Sequence, residues 1–390
     1  MSEAHQVSHV VFGTPKLNGP EKAVIAEINE LSERLRVRLY APNRWMGSLR
    51  RVQFARAVQG SNSIEGYNAS LDDAAAIDLG EEPLDANEET RLALKGYADA
   101  MTYVLQLHEE PNFHFGEQLL KSLHFMMMGH DLKNRPGRWR AGAIYVRNEG
   151  TGQIVYEGPD VEQVPSLMHA LVKRLETDNS DPLVLAAMAH INLVMIHPFR
   201  DGNGRMGRCT QTLVLARNGI LSPVFCSIEE YLGQNTQAYY DVLAHVGNGS
   251  WQPHRDALPW VRFILTAHLR QARTTLRRVR EAERLWDDLE KIIEDRGLNS
   301  RTFVALYDAA VGFRVRNATY RAITLSDHDE ELTEPAATRD LKQLCDAGLL
   351  VPHGEKRGRF YMAGPEIKAL RRAIVEGRDP RDDSDPFAGV

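Results

Sequence analysis

Residues 197–208 read HPFRDGNGRMGR and lie between two apolar segments, DPLVLAAMAHINLVMI before and CTQTLVLARNGI after. These residue types at this spacing suit a phosphate-bearing ligand. Gly202 and Gly204 let backbone amides approach an anion, and a helix starting near Gly204 offers its free N–H groups to negative charge. Arg205 and Arg208 are three apart, so on a helix they share a face and can both reach phosphate oxygens. Asp201 is a hard oxygen ligand suited to Mg²⁺ that already bridges phosphates. His197, at the loop entrance, is placed to take a proton from an incoming hydroxyl. A purely structural loop, with a capping aspartate and solvated arginines, accounts for any one of these residues better than for the set.

The same stretch matches G-x-G-x-x-G at Gly202, Gly204 and Gly207, with Glu229 and Glu230 further on where a ribose-binding acid would stand. A dinucleotide fold, however, needs a short buried strand before the glycines, and Pro182 to Ile196 has the length of a helix. It also has no use for His197, Arg200 and Asp201 in the approach turn. A P-loop is absent, because no glycine precedes Lys-Ser or Lys-Thr at the required spacing.

HPFRDGNGRMGR resembles the motif of the Fic family, H-x-F-x-[DE]-G-N-G-R-x-x-R, and every specified position matches. The similarity extends over roughly residues 45–270. The resemblance implies a mainly α fold, a Fic-type helical core with a β-hairpin flap, that transfers AMP from ATP to a Ser, Thr or Tyr hydroxyl of a target protein and of itself. It implies His197 as general base and Asp201 as ligand of Mg²⁺. Asn203 and the backbone of Gly202 and Gly204 would form an anion hole, Arg205 would contact the phosphates and Arg208 the γ-phosphate. Arg200 and Asn235 join them among the implied nucleotide contacts. The segment around Ile144, Tyr145 and Val146 looks like the family's flap, which holds a target segment by strand addition.

Upstream, SNSIEG over residues 61–66 resembles the family's inhibitory motif, [ST]-x-x-x-E-[GN]. Ser61 and Glu65 are four apart, on one helical face. The resemblance pairs Glu65 with Arg208, where the carboxylate would take the place of the γ-phosphate and misorient ATP. Alone, the same six residues read as an ordinary helix end followed by Gly66. Two further readings stay open. In one, the site removes AMP, with Glu65 positioning a water; in the other, the protein is a DNA-binding regulator whose Fic domain senses nucleotide.

The elements that must position these groups are mostly helical. EKAVIAEINELSERL, NEETRLALKGYADAMTYVLQL, GEQLLKSLHFMMMG and DVEQVPSLMHALVKRL carry apolar residues at helical spacing. Ala143 to Tyr156 differs: AIYV and QIVY flank the turn-rich NEGTG, a hairpin signal. Five regions are expected. Residues 1–110 form an N-terminal helical region with the inhibitory helix near 55–66, and 111–270 the catalytic core. Residues 271–297 read as an arginine-rich helical linker, a solvated connector, and 298–364 as a small winged helix-turn-helix domain. Residues 376–390 are acidic and poor in apolar residues, which reads as disorder.

Composition bounds the rest. A 390-residue chain with 43% hydrophobic and 26% charged residues is an ordinary globular protein. A net charge of −6 opposes general affinity for nucleic acid, while Arg339, Lys342, Lys356, Arg357 and Arg359 leave DNA open as a partner of the last domain. Dimerisation through that domain is open as well, since fold does not fix function. The N-terminus lacks a signal-peptide pattern, the best apolar run is shorter than a bilayer span, and Cys209, Cys226 and Cys345 are scattered. Together these point to a cytoplasmic protein without membrane contact.

Overall fold

The computed structural model describes residues 11–40, 45–147, 150–219, 225, 227–328 and 330–389. Cys226, the residues before Val11, and Asn148 and Glu149 of the hairpin turn lie outside this set.

The architecture is mainly helical and is organised around one apolar helix. Helix α7, Pro182–Ile196, is buried at every position except Pro182 and Val194. A helix apolar all round belongs at the centre of a core, and its few polar groups are all paired. Asn192 accepts from the Phe12 N–H (2.8 Å) and donates to the Phe12 and Met188 carbonyls, tying in the N-terminal segment. His190 lies between Gln211 and Tyr239. Helix α8, Asn203–Arg217, packs against α7. Gly207 permits the close approach, because a Cβ there would come within 2.8 Å of His190 and Val194.

Around this pair stand α1 (Gly19–Tyr40), α2 (Met46–Ile64), α3 (Leu71–Asp78), α4 (Glu88–Leu107), α5 (Glu117–Met128) and α6 (Val164–Thr177). Two short helices follow α8 among the described residues, α9 (Glu229–Gln234) and α10 (Thr236–Gly247). α2 crosses α9 backbone to backbone at Gly60 and Gly233, where any side chain would strike the opposite main chain. The hairpin consists of β1 (Tyr145–Arg147) and β2 (Ile154–Glu157), antiparallel, with Val146 opposite Tyr156 and a bulge after Val146. It leans on the helices rather than standing alone: the Tyr156 hydroxyl donates to the Met195 carbonyl (2.8 Å) and the Glu157 N–H to Gly249 (3.0 Å).

The segment read as a solvated connector is different in the structure. A single helix, α11, runs from Leu258 to Asp295, roughly 57 Å at 1.5 Å per residue. One stripe of it, including Leu276, Val279, Leu285, Leu289 and Ile293, is buried. It packs on α1 and on the helices that follow, so its arginines occupy only the other faces. Those later elements are α12 (Phe303–Val311), α13 (Asn317–His328), α14 (Glu334–Asp346), strands β3 (Leu350–His353) and β4 (Phe360–Ala363), and α15 (Pro365–Glu376). An antiparallel bridge joins Val315 to Tyr361. Arg314 fastens this unit to the α2–α4 region through Asp72 (2.5 Å), Asp73 (3.1 Å) and Asp85 (2.9 Å).

The acidic tail, expected to be disordered, lies along α11. Arg273 pairs with Asp382 (2.7 Å), Arg270 donates to the Asp383 carbonyl (2.7 Å), and Phe387 is buried beneath the Arg262 guanidinium. The tail is short of apolar residues, but arginines far earlier in the chain hold its carboxylate and carbonyls. No helix among the described residues is long and apolar enough to cross a membrane.

Candidate functional site

The loop between α7 and α8 is held in an unusual conformation by buried donors. His197 ends α7 in the left-handed region, at φ 51° and ψ 57°, which a non-glycine residue adopts only when its surroundings hold it there. Three contacts hold it. Its N–H donates to the Leu193 carbonyl (3.0 Å), its ring Nδ1 meets the Val194 carbonyl (3.1 Å), and its own carbonyl accepts from Arg140 Nε (2.9 Å). Burial pushes the half-buried imidazole down to about 4, against the raising effect of the Val194 carbonyl. The neutral ring can bond a carbonyl only through an N–H, which assigns the proton to Nδ1 and leaves Nε2 as a free acceptor.

Asp201 and Gly202 turn the chain. Asp201 Oδ1 accepts from the Gly202 N–H (2.6 Å), and its Oδ2 accepts from Asn134 (3.2 Å). Gly202 takes φ +76°, so α8 begins with the N–H groups of Asn203, Gly204 and Arg205 lacking intrahelical acceptors. The Asn203 side chain is spent on the loop: it accepts from the Phe199 N–H (2.9 Å) and donates to the Phe199 carbonyl (3.0 Å). Its part in an anion hole is therefore limited to its backbone N–H. Arg200 is exposed and donates to the Lys133 carbonyl (3.1 Å), apart from the other arginines.

Arg205 and Arg208 are each only 1% exposed, yet their hydrogen bonding is incomplete. Arg205 Nη2 reaches only Met128 Sδ (3.0 Å), and its guanidinium lies 5.2 Å from the centre of the Tyr67 ring. Arg205 Nε and Nη1 and Arg208 Nη1 are buried without a hydrogen-bond partner among the described residues. Each bond left unmade on a buried polar group carries a penalty of about 1–3 kcal/mol, more when the group is charged. An anion supplied from outside would remove that penalty. Asp201 adds one carboxylate, and no group of three or more His, Cys, Asp or Glu side chains is arranged for a metal among the described residues. One carboxylate beside two buried, incompletely bonded arginines fits a Mg²⁺ that would arrive on phosphates, which commonly takes one or two protein ligands.

Glu65 reaches this site from α2. The helix ends at Ile64, Gly66 turns away at φ +84°, and the Tyr67 N–H closes on the Asn62 carbonyl (3.1 Å). Glu65 Oε1 accepts from Arg208 Nη2 at 2.6 Å, while Arg208 also donates to the hydroxyl (2.8 Å) and carbonyl (2.9 Å) of Ser61. Burial raises the Glu65 carboxyl, but the Arg208 and Arg205 charges outweigh it and hold it below its ordinary range. Burial lowers Arg208 and Glu65 more than restores it, so the pair is ionised. The carboxylate lies against Gly204, where a Cβ would collide with it. The Tyr240 hydroxyl, donating to the Ile64 carbonyl (3.0 Å), clasps the end of α2.

Two residues essential to this geometry are not signalled by the sequence. Arg140, 7% exposed, donates to the carbonyls of His197, Gly142 (2.7 Å) and Pro159, joining the loop to both stems of the hairpin. His124 stacks on Phe199, with centroids 3.7 Å apart. Burial pushes its imidazole down to about 4, and it accepts from the Gly137 N–H (2.9 Å) and donates to the Asp201 carbonyl (2.9 Å). Ile144, Tyr145 and Val146 lie on or beside β1, whose outer edge has no strand partner among the described residues. Asn235 caps the turn before α10, donates to the Tyr231 carbonyl (2.8 Å), and makes no hydrogen bond to the loop among the described residues.

The Fic/DOC family profile matches residues 114–215, which include the whole loop. The chain is 25% identical over 261 residues to protein adenylyltransferase Fic of Nematostella vectensis, covering 64% of this chain and 55% of that one. Protein adenylyltransferase fic-1 of Caenorhabditis elegans is 32% identical over 144 residues, 36% of this chain and 25% of the relative. The chain thus spans about half the length of one relative and a quarter of the other. Among solved structures, a Fic family protein from Desulfovibrio desulfuricans superposes with a TM-score of 0.57 at 24% identity, covering 94% of this chain and 99% of that one. Residues 134–508 of Fic-1 from Caenorhabditis elegans give 0.51 at 22% identity, covering 66% and 72%. Residues 114–215 thus match the Fic/DOC family, with the whole loop inside the match, and the surrounding fold is similar to that of a solved Fic family protein.

Proposed function

We propose that the protein is an adenylyltransferase that moves AMP from ATP to a hydroxyl side chain of a target protein and of itself, held inactive by its own Glu65. The observation that carries this reading is the pair of buried guanidiniums, Arg205 and Arg208, with three unpartnered N–H positions beside a neutral histidine. The target hydroxyl oxygen bonds to the α-phosphorus as its proton passes to His197 Nε2, and the α–β bridge breaks to release pyrophosphate. The N–H groups at the start of α8 and the Arg205 guanidinium stabilise charge on the phosphates. Asp201 would hold Mg²⁺, which when bound neutralises phosphate charge. The unpaired edge of β1 supports docking of an extended target segment. Glu65 occupies the Arg208 fork, so ATP that binds through its other contacts is not presented in line. Incubation of Glu65→Gly with ATP labelled at the α- or the γ-phosphate tests the reaction. Protein-bound label from the α position alone is expected; label from the γ position would overturn it.

A second reading rests on the ionised Glu65 carboxylate beside Gly204. The carboxylate could accept a proton from water and so support removal of AMP at the same site. Release of AMP from a modified target by the wild type, lost in Glu65→Gly, would favour this direction. The order of helices α12–α14 before a hairpin, with Val315 bridging Tyr361, supports a winged helix-turn-helix unit. Arg339, Lys342, Lys356 and Arg359 are exposed on it, which makes DNA a candidate partner and a second copy of the chain another. Salt-sensitive, sequence-selective DNA binding lost in Arg339→Ala would establish the first. The cysteine pattern supports a cytoplasmic setting.

A further inference from the structure

On the side of α9 away from α2 lies a cavity of about 650 Å³, bounded by α1, α9, α11 and the C-terminal tail. Its wall is dominated by arginines: Arg34 from α1, Arg270, Arg273, Arg277 and Arg280 from α11, and Arg381 from the tail. Two of the acidic residues in the wall, Glu230 and Glu281, are already engaged, and Asp379, Asp382 and Asp383 come from the tail itself. Glu230 is held by Arg278 (2.6 Å) and by Arg56 of α2 (3.1 Å), and Glu281 by Arg378 (2.7 Å) and Arg371 (3.2 Å). Arg34, Arg280 and Arg381 form no ion pair among the described residues. Among the described residues Arg270 Nε and Arg277 Nε are buried without a hydrogen-bond partner, the latter 3.5 Å from Glu281. Burial and the neighbouring Arg381 and Arg378 charges hold the Arg277 guanidinium below its usual range. The tail meets part of this demand, through Asp382 on Arg273 and the carbonyls of Asp383 and Ser384 on Arg270.

We propose that this cavity binds a small oligo-anion carrying two or more adjacent phosphates, in competition with the acidic tail. Its volume is that of a site for one small molecule. Guanidinium forks match phosphate oxygens in pairs, and several converging on one space suit a chain of phosphates better than a single carboxylate. A nucleic acid fits less well, because the cavity is bounded rather than a stripe and the chain carries a net charge of −6. The site is separate from the Arg205–Arg208 pair. It shares Glu230 with Arg56, and through it meets the helix that carries Glu65.

Calorimetric titration of the full-length protein with inorganic tripolyphosphate tests the proposal. Arg277→Ala/Arg280→Ala should weaken binding about tenfold for each arginine removed, the usual scale for a hydrogen bond to a charged group. Arg205→Ala, in the loop, should leave this binding event in place, and Asp382→Asn/Asp383→Asn should tighten it. Melting curves confirm that each variant folds. Arg280→Glu reverses an exposed charge and must still weaken binding if the double variant fails to fold. Unchanged affinity in Arg280→Glu, or loss of all binding in a folded Arg205→Ala, would overturn the site. Titration with ADP identifies the source: tighter binding than tripolyphosphate points to a nucleotide, and equal or weaker binding to the phosphate chain alone.

Discussion

Replacing Glu65 by glycine removes one partner of a buried pair and should convert stability into activity. Arg208 loses its 2.6 Å contact to the carboxylate but keeps both bonds to Ser61, so the guanidinium stays near the loop. A hydrogen bond to a charged group contributes about 1.5–3 kcal/mol. Glu65 is only 23% exposed, so solvent screening reduces that range little. If this contact must break before the γ-phosphate can take the fork, its removal raises auto-modification roughly 10- to 100-fold. The gain should fall on turnover more than on ATP affinity, because the proposed block acts on orientation. Arg208→Ala also breaks the pair but deletes the proposed ligand of the γ-phosphate, so it should not activate. Both variants are compared in one auto-modification assay with ATP binding measured alongside. Activation by both, or by neither, refutes the pairing as the switch.

Three further outcomes are expected. In Glu65→Gly, kcat/KM should be level through neutral pH and fall only as pH drops through about 4, where His197 Nε2 takes a proton; an acid limb near the ordinary histidine value would contradict the assigned protonation. His124 and His197 are held down to about 4 and His190 and His268 to about 3. The unfolded chain thus binds more protons between those values and about 6.5, and stability falls with falling pH there by up to about 1.4 kcal/mol per pH unit for each ring. The melting temperature should therefore decline from pH 7 to pH 5, less steeply in His190→Gln, and an unchanged slope would refute the contribution of that ring. Arg140→Ala should lower kcat far more than it changes ATP affinity and destabilise the fold by on the order of 3 kcal/mol, for three lost bonds to backbone carbonyls. Wild-type kcat in that variant would show that the hairpin stem does not hold His197.

The loop was legible because its chemistry is contiguous: His197, Asp201, the glycines and both arginines fall within one turn and the start of one helix. The approach of Glu65 to the loop was implied by the resemblance of residues 61–66 to an inhibitory motif, since alone they read as an ordinary helix end. Arg140 and His124 were not, since each acts on backbone groups of residues distant in sequence, and no local pattern marks an arginine that will bond carbonyls. Asn203 shows a related limit: its type suits an anion hole, yet its amide closes a loop around Phe199. The arginine content of α11 masked a buried apolar stripe, and the composition of the tail gave no sign of the arginines on α11 that receive it. Helix periodicity located most elements, because one-sided burial leaves that trace. It could not convey that α2 and α9 cross at Gly60 and Gly233, which places Glu65 over the loop.

The central claim is that His197 serves AMP transfer at a site that Glu65 holds closed. Intact mass measurement of two proteins, Glu65→Gly and Glu65→Gly/His197→Ala, after incubation with ATP and Mg²⁺ tests it most directly. The expected result is a population of Glu65→Gly heavier by one AMP group and an unmodified double variant. No adduct on either protein, or equal adduct on both, would contradict it.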